Sequence, residues 1–369
     1  MGVLEPRLSR YFHTIANRKG TPLSGTFELS PCCNMDCRMC YVRKSRQEVE
    51  KAGGEIGPEQ WLSMAEECRN AGMLFLLLTG GEPFFYPGFR ELYEKLSKMG
   101  FLISINTNGT MISEKTVSWL QENPPARMNI TLYGASDETY DKLCRNPSGY
   151  SRTVAAIQML KEAGISVKLN ASMTPYNIAD LDGIYETARK LDVYVQATAY
   201  MYPPVRKNEN NIGSGDRFPA EEAGKWEAVI DKKRLTDEQY KRRVQAIRER
   251  ILTVQDKCQD MDNIPGEPMR CRAGKTSFWI NWKGEMSPCG MMVKPIVYPF
   301  RDGLLPAWKL LREESKKILL PGKCSSCNKK ELCPVCAASV SAETGMFDQT
   351  PEYLCRMTET KIQYTVENI

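Results

Sequence analysis

Cys32, Cys33, Cys37 and Cys40 crowd one stretch, SPCCNMDCRMCYVR at 30–43, in a chain of 369 residues and 14 cysteines. Cys33, Cys37 and Cys40 form C-x3-C-x2-C. On a helix this spacing would give one face of buried thiols. Pro31 and the interleaved Asn34, Asp36 and Arg38 argue for a loop instead. A structural zinc site takes a fourth Cys or His. His13 is distant in sequence and Cys32 adjoins Cys33 awkwardly. Three thiolates suit an iron–sulfur cubane with one iron left for a ligand.

A second set of thiols lies near the C-terminus. Cys271 and Cys289 flank Gly284, and CSSCNKKELCPVC supplies Cys324, Cys327, Cys333 and Cys336, with Cys355 beyond. Paired C-x2-C motifs read equally as a zinc ribbon. Seven cysteines are an odd number for tetrahedral sites.

The elements that must position these groups repeat. TFELS, LFLLLTG, FLISINTNG, MNITLYG, ISVKLNAS and VYVQATAY are apolar runs suited to strands. Between them lie helical segments, opened by Pro58 or Ser113 and closed by Gly72, Gly100 or Gly164. Strand–helix alternation predicts parallel strands with right-handed crossovers. Six units fall short of a closed eightfold barrel, so the expected fold is α/β, a partial (β/α)6 parallel barrel. Reacting groups then sit on loops at the C-terminal ends of strands. SPCCNMDCRMC, TGGEP, NTNGT and YGASDE fall on one rim. The expected division is a tail at 1–25, a core at 26–202, a linker and helical insert at 203–265, and a cysteine-rich unit at 266–369. The charged stretch TDEQYKRRVQAIRERILTVQDK reads as a solvated amphipathic helix, with partner binding as the alternative.

Cys33-x3-Cys37-x2-Cys40 after the first strand, followed by Thr79-Gly80-Gly81-Glu82-Pro83 after the second, resembles the radical S-adenosylmethionine (SAM) superfamily. The resemblance implies that these cysteines hold three irons of a 4Fe–4S cluster. SAM would chelate the fourth iron, and its reductive cleavage would give a 5′-deoxyadenosyl radical. It also implies SAM contacts from Gly80, Gly81 and Glu82, and from Asn106, Thr107 and Asn108. Thr131 and Arg145 become candidates for the SAM carboxylate, Asn170 and Ser172 for the ribose, and Met39 for the adenine. Independently of the family, Gly80 and Gly81 allow backbone to approach a ligand closely, and Glu82 can accept a charge-assisted bond from an ammonium. Tyr41, Tyr133, Tyr200 and Met201 are candidates to line substrate space, with core packing the alternative for each.

The C-terminal cysteines resemble the SPASM extension of that superfamily, one residue shorter in the last C-x2-C. Two auxiliary 4Fe–4S clusters are then implied, making three in all. Cys324, Cys327, Cys333 and Cys355 would hold one, and Cys271, Cys289 and Cys336 the other, closed by Cys258 or left open to substrate. The implied activity is oxidative modification or crosslinking of a ribosomally synthesised peptide (a RiPP maturase). The implied partners are that peptide, a separate leader-binding protein and a flavodoxin- or ferredoxin-type electron donor. The alternatives are a small-molecule dehydrogenase or decarboxylase and, lowered by Gly290 where an acid is expected, a sulfatase-maturase-like enzyme.

Composition fits an ordinary globular protein, at 42% hydrophobic and 26% charged residues. A net charge of +5 makes no case for nucleic acid. No apolar run spans a membrane, no signal-peptide core precedes the cluster loop, and cysteine usage points to a reduced, cytoplasmic setting.

Overall fold

The computed structural model describes residues 7–253 and 265–367. The six apolar runs form β1 (Ser24–Glu28), β2 (Phe75–Thr79), β3 (Leu102–Thr107), β4 (Arg127–Thr131), β5 (Val167–Ser172) and β6 (Tyr194–Thr198). They pair in parallel in sequence order, β1 with β2 through to β5 with β6. Their buried positions, such as Phe27, Leu76, Leu78, Ile105, Ile130 and Leu169, form one core with the crossover helices.

The helices end where the glycines place them. Helices Pro58–Asn70, Phe89–Lys98 and Gly149–Glu162 are each followed by a glycine at positive φ: Gly72, Gly100 and Gly164. Ser113 caps Glu114–Glu122 by accepting the Thr116 N–H.

The sheet does not stop at β1. After β7 (Pro265–Pro268) come β8 (Ser277–Ile280) and β9 (Met286–Ser287). β8 pairs in parallel with the free edge of β1, and β9 adds antiparallel, giving the order β6-β5-β4-β3-β2-β1-β8-β9. The sheet stays open, and the cysteine-rich segment shares it with the core. β10 (Leu319–Pro321) forms a small ribbon with β7.

Residues 7–19, within the N-terminal tail, form a helix whose buried His13 contacts Thr276 Oγ1 at 2.8 Å. The charged stretch forms helix Asp237–Thr253, with Tyr240, Val244 and Ile247 buried. Cys258 lies outside the described residues. No described helix is long and apolar enough to cross a membrane.

Candidate functional site

The chain leaves β1 into the cysteine loop, and hydrogen bonds from three directions fix that loop. Its Asp36 and Arg38 N–H groups donate to the Cys144 and Leu143 carbonyls, at 3.0 Å each, at the end of helix Asp137–Cys144. Asn34 donates to Thr110 Oγ1 at 2.8 Å and accepts from Asn108 Nδ2 at 2.9 Å, tying it to the loop after β3. Gly81 and Glu82 N–H donate to the Ser30 and Cys32 carbonyls at 2.7 and 3.0 Å.

That last contact revises the reading of the glycines. A Cβ on Gly80 would stand 2.5 Å from Ser30 O, and one on Gly81 2.3 Å from Cys32 O. The close approach is to the chain's own backbone, which sets the TGGEP turn against the root of the cysteine loop.

Cys33, Cys37 and Cys40 face one cavity of about 210 Å³ at the C-terminal ends of the strands. Gly80, Gly81, Asn106, Thr107 and Asn108 line it from β2 and β3, and Thr131, Ser172 and Met39 also border it. Sulfur faces donors: Met35 N–H reaches Cys33 at 3.4 Å, Asn108 Nδ2 reaches Cys33 at 3.7 Å, and Arg43 N–H reaches Cys40 at 3.3 Å. Burial pushes the Cys33 thiol up to about 12, with Glu82 and the other two thiols adding to it. Buried thiols of this kind would give up their protons to the iron of a bound cluster. Three converging thiols beside amide and hydroxyl groups fit a cluster with a ligand on its open iron.

Three expected contacts are placed elsewhere. Glu82 is fully buried beneath the cavity wall and accepts from Thr107 Oγ1 (2.7 Å), Asn108 N–H (2.8 Å) and Phe84 N–H (3.1 Å). Burial raises its carboxyl to about 7 against the pull of those bonds. Arg145 is the left-handed cap of helix Asp137–Cys144, its exposed side chain 3.5 Å from Asp36. The longer connection after β4 aims it at the outside of the cysteine loop, so it does not line the cavity. Asn170 lies one strand step below Ser172, in register with Thr131, and does not line the cavity either.

Sequence reasoning missed Cys144, a buried thiol whose hydrogen bond is the largest influence raising Cys37. Tyr133, Tyr41 and Met201 do reach the cavity. Tyr200 instead donates to Glu343 at 2.9 Å.

The C-terminal cysteines separate into a four and a three. Cys324, Cys327, Cys333 and Cys355 surround a cavity of about 380 Å³. Burial pushes Cys324 up to about 12 and Cys355 to about 11, neighbouring thiols of the set adding to each. Cys271, Cys289 and Cys336 form the other group: burial raises Cys289, and the Cys336 and Cys271 thiols add to the rise. Tyr202 joins this group, its hydroxyl 3.6 Å from Cys336 Sγ. Beside Cys289, the side Gly290 lacks is filled by the Trp279 indole, 2.7 Å from where a Cβ would stand. An acidic side chain has no room there.

A buried ion pair bridges the two sides. Arg206 binds Glu28 through both nitrogens at 2.7 and 2.9 Å, and Trp279 Nε1 donates to the same carboxylate at 3.1 Å. Arg206 also donates to Gly290 O at 2.9 Å and lies over Tyr41 at 5.5 Å. The end of β1, the cysteine loop and the Cys289 loop thus share one cation. Glu28 is 1% and Arg206 12% exposed, so removing one partner strands a buried charge. Glu28→Gln is expected to destabilise the protein by about 3–5 kcal/mol, read as a lowered thermal midpoint. A variant melting like the parent would show that Arg206 is held by its other contacts.

Residues 27–188 match the family described as the Radical SAM superfamily. The AdoMet-dependent heme synthase of Methanosarcina barkeri (strain Fusaro / DSM 804) is 25% identical over 343 residues, 89% of this chain and 94% of that protein. The antilisterial bacteriocin subtilosin biosynthesis protein AlbA of Bacillus subtilis (strain 168) is 25% identical over 292 residues, 76% of this chain and 59% of that protein. Streptococcus suis SuiB, solved bound to precursor peptide SuiA, shares the fold with a TM-score of 0.65. The identity is 16%, and the match covers 94% of this chain and 80% of that one.

Proposed function

From the premise that residues 27–188 are a radical SAM domain, we propose that this enzyme oxidatively modifies a ribosomally made peptide. In this reading residues 26–202 are the core, 203–265 an insert, and 266–369 a SPASM-type domain with two auxiliary 4Fe–4S clusters. Cys33, Cys37 and Cys40 hold the first cluster, and the remaining cysteines hold the others in the groups of four and three. When bound, the first cluster and SAM supply a 5′-deoxyadenosyl radical that abstracts hydrogen from the substrate.

The chain's own residues then have separate tasks. Asn106, Thr131 and Ser172 offer hydrogen bonds to SAM along the cavity wall, Thr107 and Asn108 shape that wall while bonded to Glu82 and the cysteine loop, and Met39 covers its apolar part. Glu82 acts from behind, fixing the loop after β3 through Thr107 and Asn108. A flavodoxin- or ferredoxin-type protein supplies the electron, and a separate protein recognises a leader sequence.

The observation that carries the reading is the placement of Tyr202. Its ring borders a second cavity that shares Met39, Cys40 and Met201 with the first. Its hydroxyl meets Cys336 of the three-thiol group. This supports a substrate space between the radical source and a cluster that would accept the electron left behind. Relatives such as subtilosin biosynthesis protein AlbA and the peptide-bound SuiB support a peptide substrate. A second reading, action on a tetrapyrrole, is favoured by the near full-length match to the heme synthase.

A hydrogen bond to cluster sulfur stabilises the reduced, more negative state. Tyr202→Phe is therefore expected to lower the midpoint potential of one auxiliary cluster, followed by redox-poised electron paramagnetic resonance. An unmoved potential would detach Tyr202 from that cluster. The functional test mixes the reconstituted enzyme with SAM and any short peptide encoded beside its gene. Loss of hydrogen from the peptide by mass supports the proposal, whereas turnover of a porphyrin instead supports the second reading.

A further inference from the structure

The second cavity, of about 330 Å³, is lined largely by polar groups. Arg38, Lys207 and Arg217 are its cations, and Asp216 is the one carboxylate among its lining residues. These charges are not equally available. Arg217 is neutralised by Glu343, with Nη2 2.8 Å from Oε2 and both side chains nearly buried. Its remaining bonds go to the Met201 and Gly213 carbonyls at 3.1 and 2.8 Å. It braces the wall rather than offering a charge.

Arg38 and Lys207 differ from it. Arg38 gives only Nε to the Lys142 carbonyl, at 3.0 Å, and its guanidinium lies 4.9 Å over the Tyr176 ring. The rest of its fork faces no carboxylate among the described residues. Lys207 enters no ion pair among the described residues and lines the cavity together with Met39 and Cys40. Asp216 accepts from Tyr176 at 3.3 Å. One planar fork and one exposed ammonium thus line the same cavity as Met39 and Cys40, with a single acid to offset them. A guanidinium fork matches a carboxylate in two parallel bonds, and a lysine adds a movable point charge.

We propose that this cavity binds a carboxylate of the substrate, held by Lys207 and Arg38. The inference rests on the first cavity being the SAM site, since Met39, Cys40 and Met201 form the shared wall. A Glu or Asp side chain of a peptide and a propionate of a tetrapyrrole present the same chemistry.

The test uses the holoenzyme, reconstituted anaerobically with iron and sulfide and saturated with SAM. Dissociation constants are measured by calorimetry for two matched pairs. One pair is a Glu-rich peptide and its Gln isostere, and the other is a tetracarboxylic porphyrin and its amide derivative. In at least one pair the acid is expected to bind about tenfold or more tightly than its neutral partner, the worth of a charge-assisted bond at a partly open site. The pair showing the preference identifies the source. Lys207→Gln and Arg38→Gln are each expected to remove most of that preference, Lys207→Arg to keep it, and Lys207→Glu to reverse it.

Equal binding within both pairs, or a preference indifferent to Lys207 and Arg38, overturns the proposal. Cleavage of SAM by the same preparation is scored separately. Its presence without a carboxylate preference leaves the radical SAM reading intact, while its absence removes that reading whatever the calorimetry shows.

Discussion

Cys37→Ala is expected to abolish reductive cleavage of SAM, whereas Cys327→Ala is expected to preserve cleavage and stop substrate turnover. The contrast follows from where the thiols sit. Cys37 faces the first cavity with Cys33 and Cys40, and no other cysteine lines it among the described residues. Cys144, whose thiol is hydrogen-bonded to Cys37, is fully buried at the end of helix Asp137–Cys144 and does not line the cavity. A cubane with two protein thiolates loses both its anchorage and the geometry of its open iron. Cys327 belongs to the separate four-thiol cavity, which shares no lining residue with the first. In the proposed reading its loss disturbs an auxiliary electron acceptor but leaves the radical source in place. The measurements are 5′-deoxyadenosine formation and product mass for each variant. Full activity in both would defeat the assignment of both groups.

Gly81→Ala is expected to reduce SAM cleavage by at least about 10²-fold, the scale of an ångström of misplacement at a reacting centre. The added Cβ would fall 2.3 Å from Cys32 O and 2.6 Å from Cys32 C. Those are backbone atoms at the root of the cysteine loop and cannot rotate aside. The shift would also break the Gly81–Ser30 and Glu82–Cys32 hydrogen bonds. Gly57→Ala is the matched control, since its Cβ meets nothing closer than 3.6 Å. Iron content measured with cleavage tells a displaced cluster from an absent one. Normal cleavage by Gly81→Ala would mean the two loops are not rigidly joined.

Much of this arrangement is legible in the chain itself. Six apolar runs separated by helices with readable caps specify the parallel half-barrel, because strand burial and helix capping are local signals. The three-cysteine loop and the loops after β2 and β3 are local too, and the structure brings them to one cavity. The extension of the sheet was not legible. SFWI is four residues long, and its partner on β1 lies some 250 positions earlier, with Ser24 opposite Ser277. Helix Ala220–Arg234 also escaped notice, since its packing relies on small residues rather than an apolar stripe. A Cβ at Gly224 would stand 2.3 Å from Met357 O in the facing helix Glu352–Glu367.

Side-chain direction was the other gap. Arg145 follows the motif in type but caps its helix in a left-handed turn, and Glu82 turns inward to hold the neighbouring loop. Arg206 sits in a Pro- and Asn-rich stretch that reads as solvent loop, yet its partner Glu28 lies 178 positions away. Nothing local marks a buried arginine. Its only sequence trace is an acid at the end of a core strand with no nearby base.

The most direct test of the central claim is to purify the protein without oxygen, reconstitute it, and count iron and sulfide against SAM cleavage. Ten thiols grouped as three, three and four predict about twelve irons per chain, by four per cubane, with 5′-deoxyadenosine formed on reduction. Bound zinc with no cleavage would contradict the account and return the C-terminal cysteines to a structural metal site.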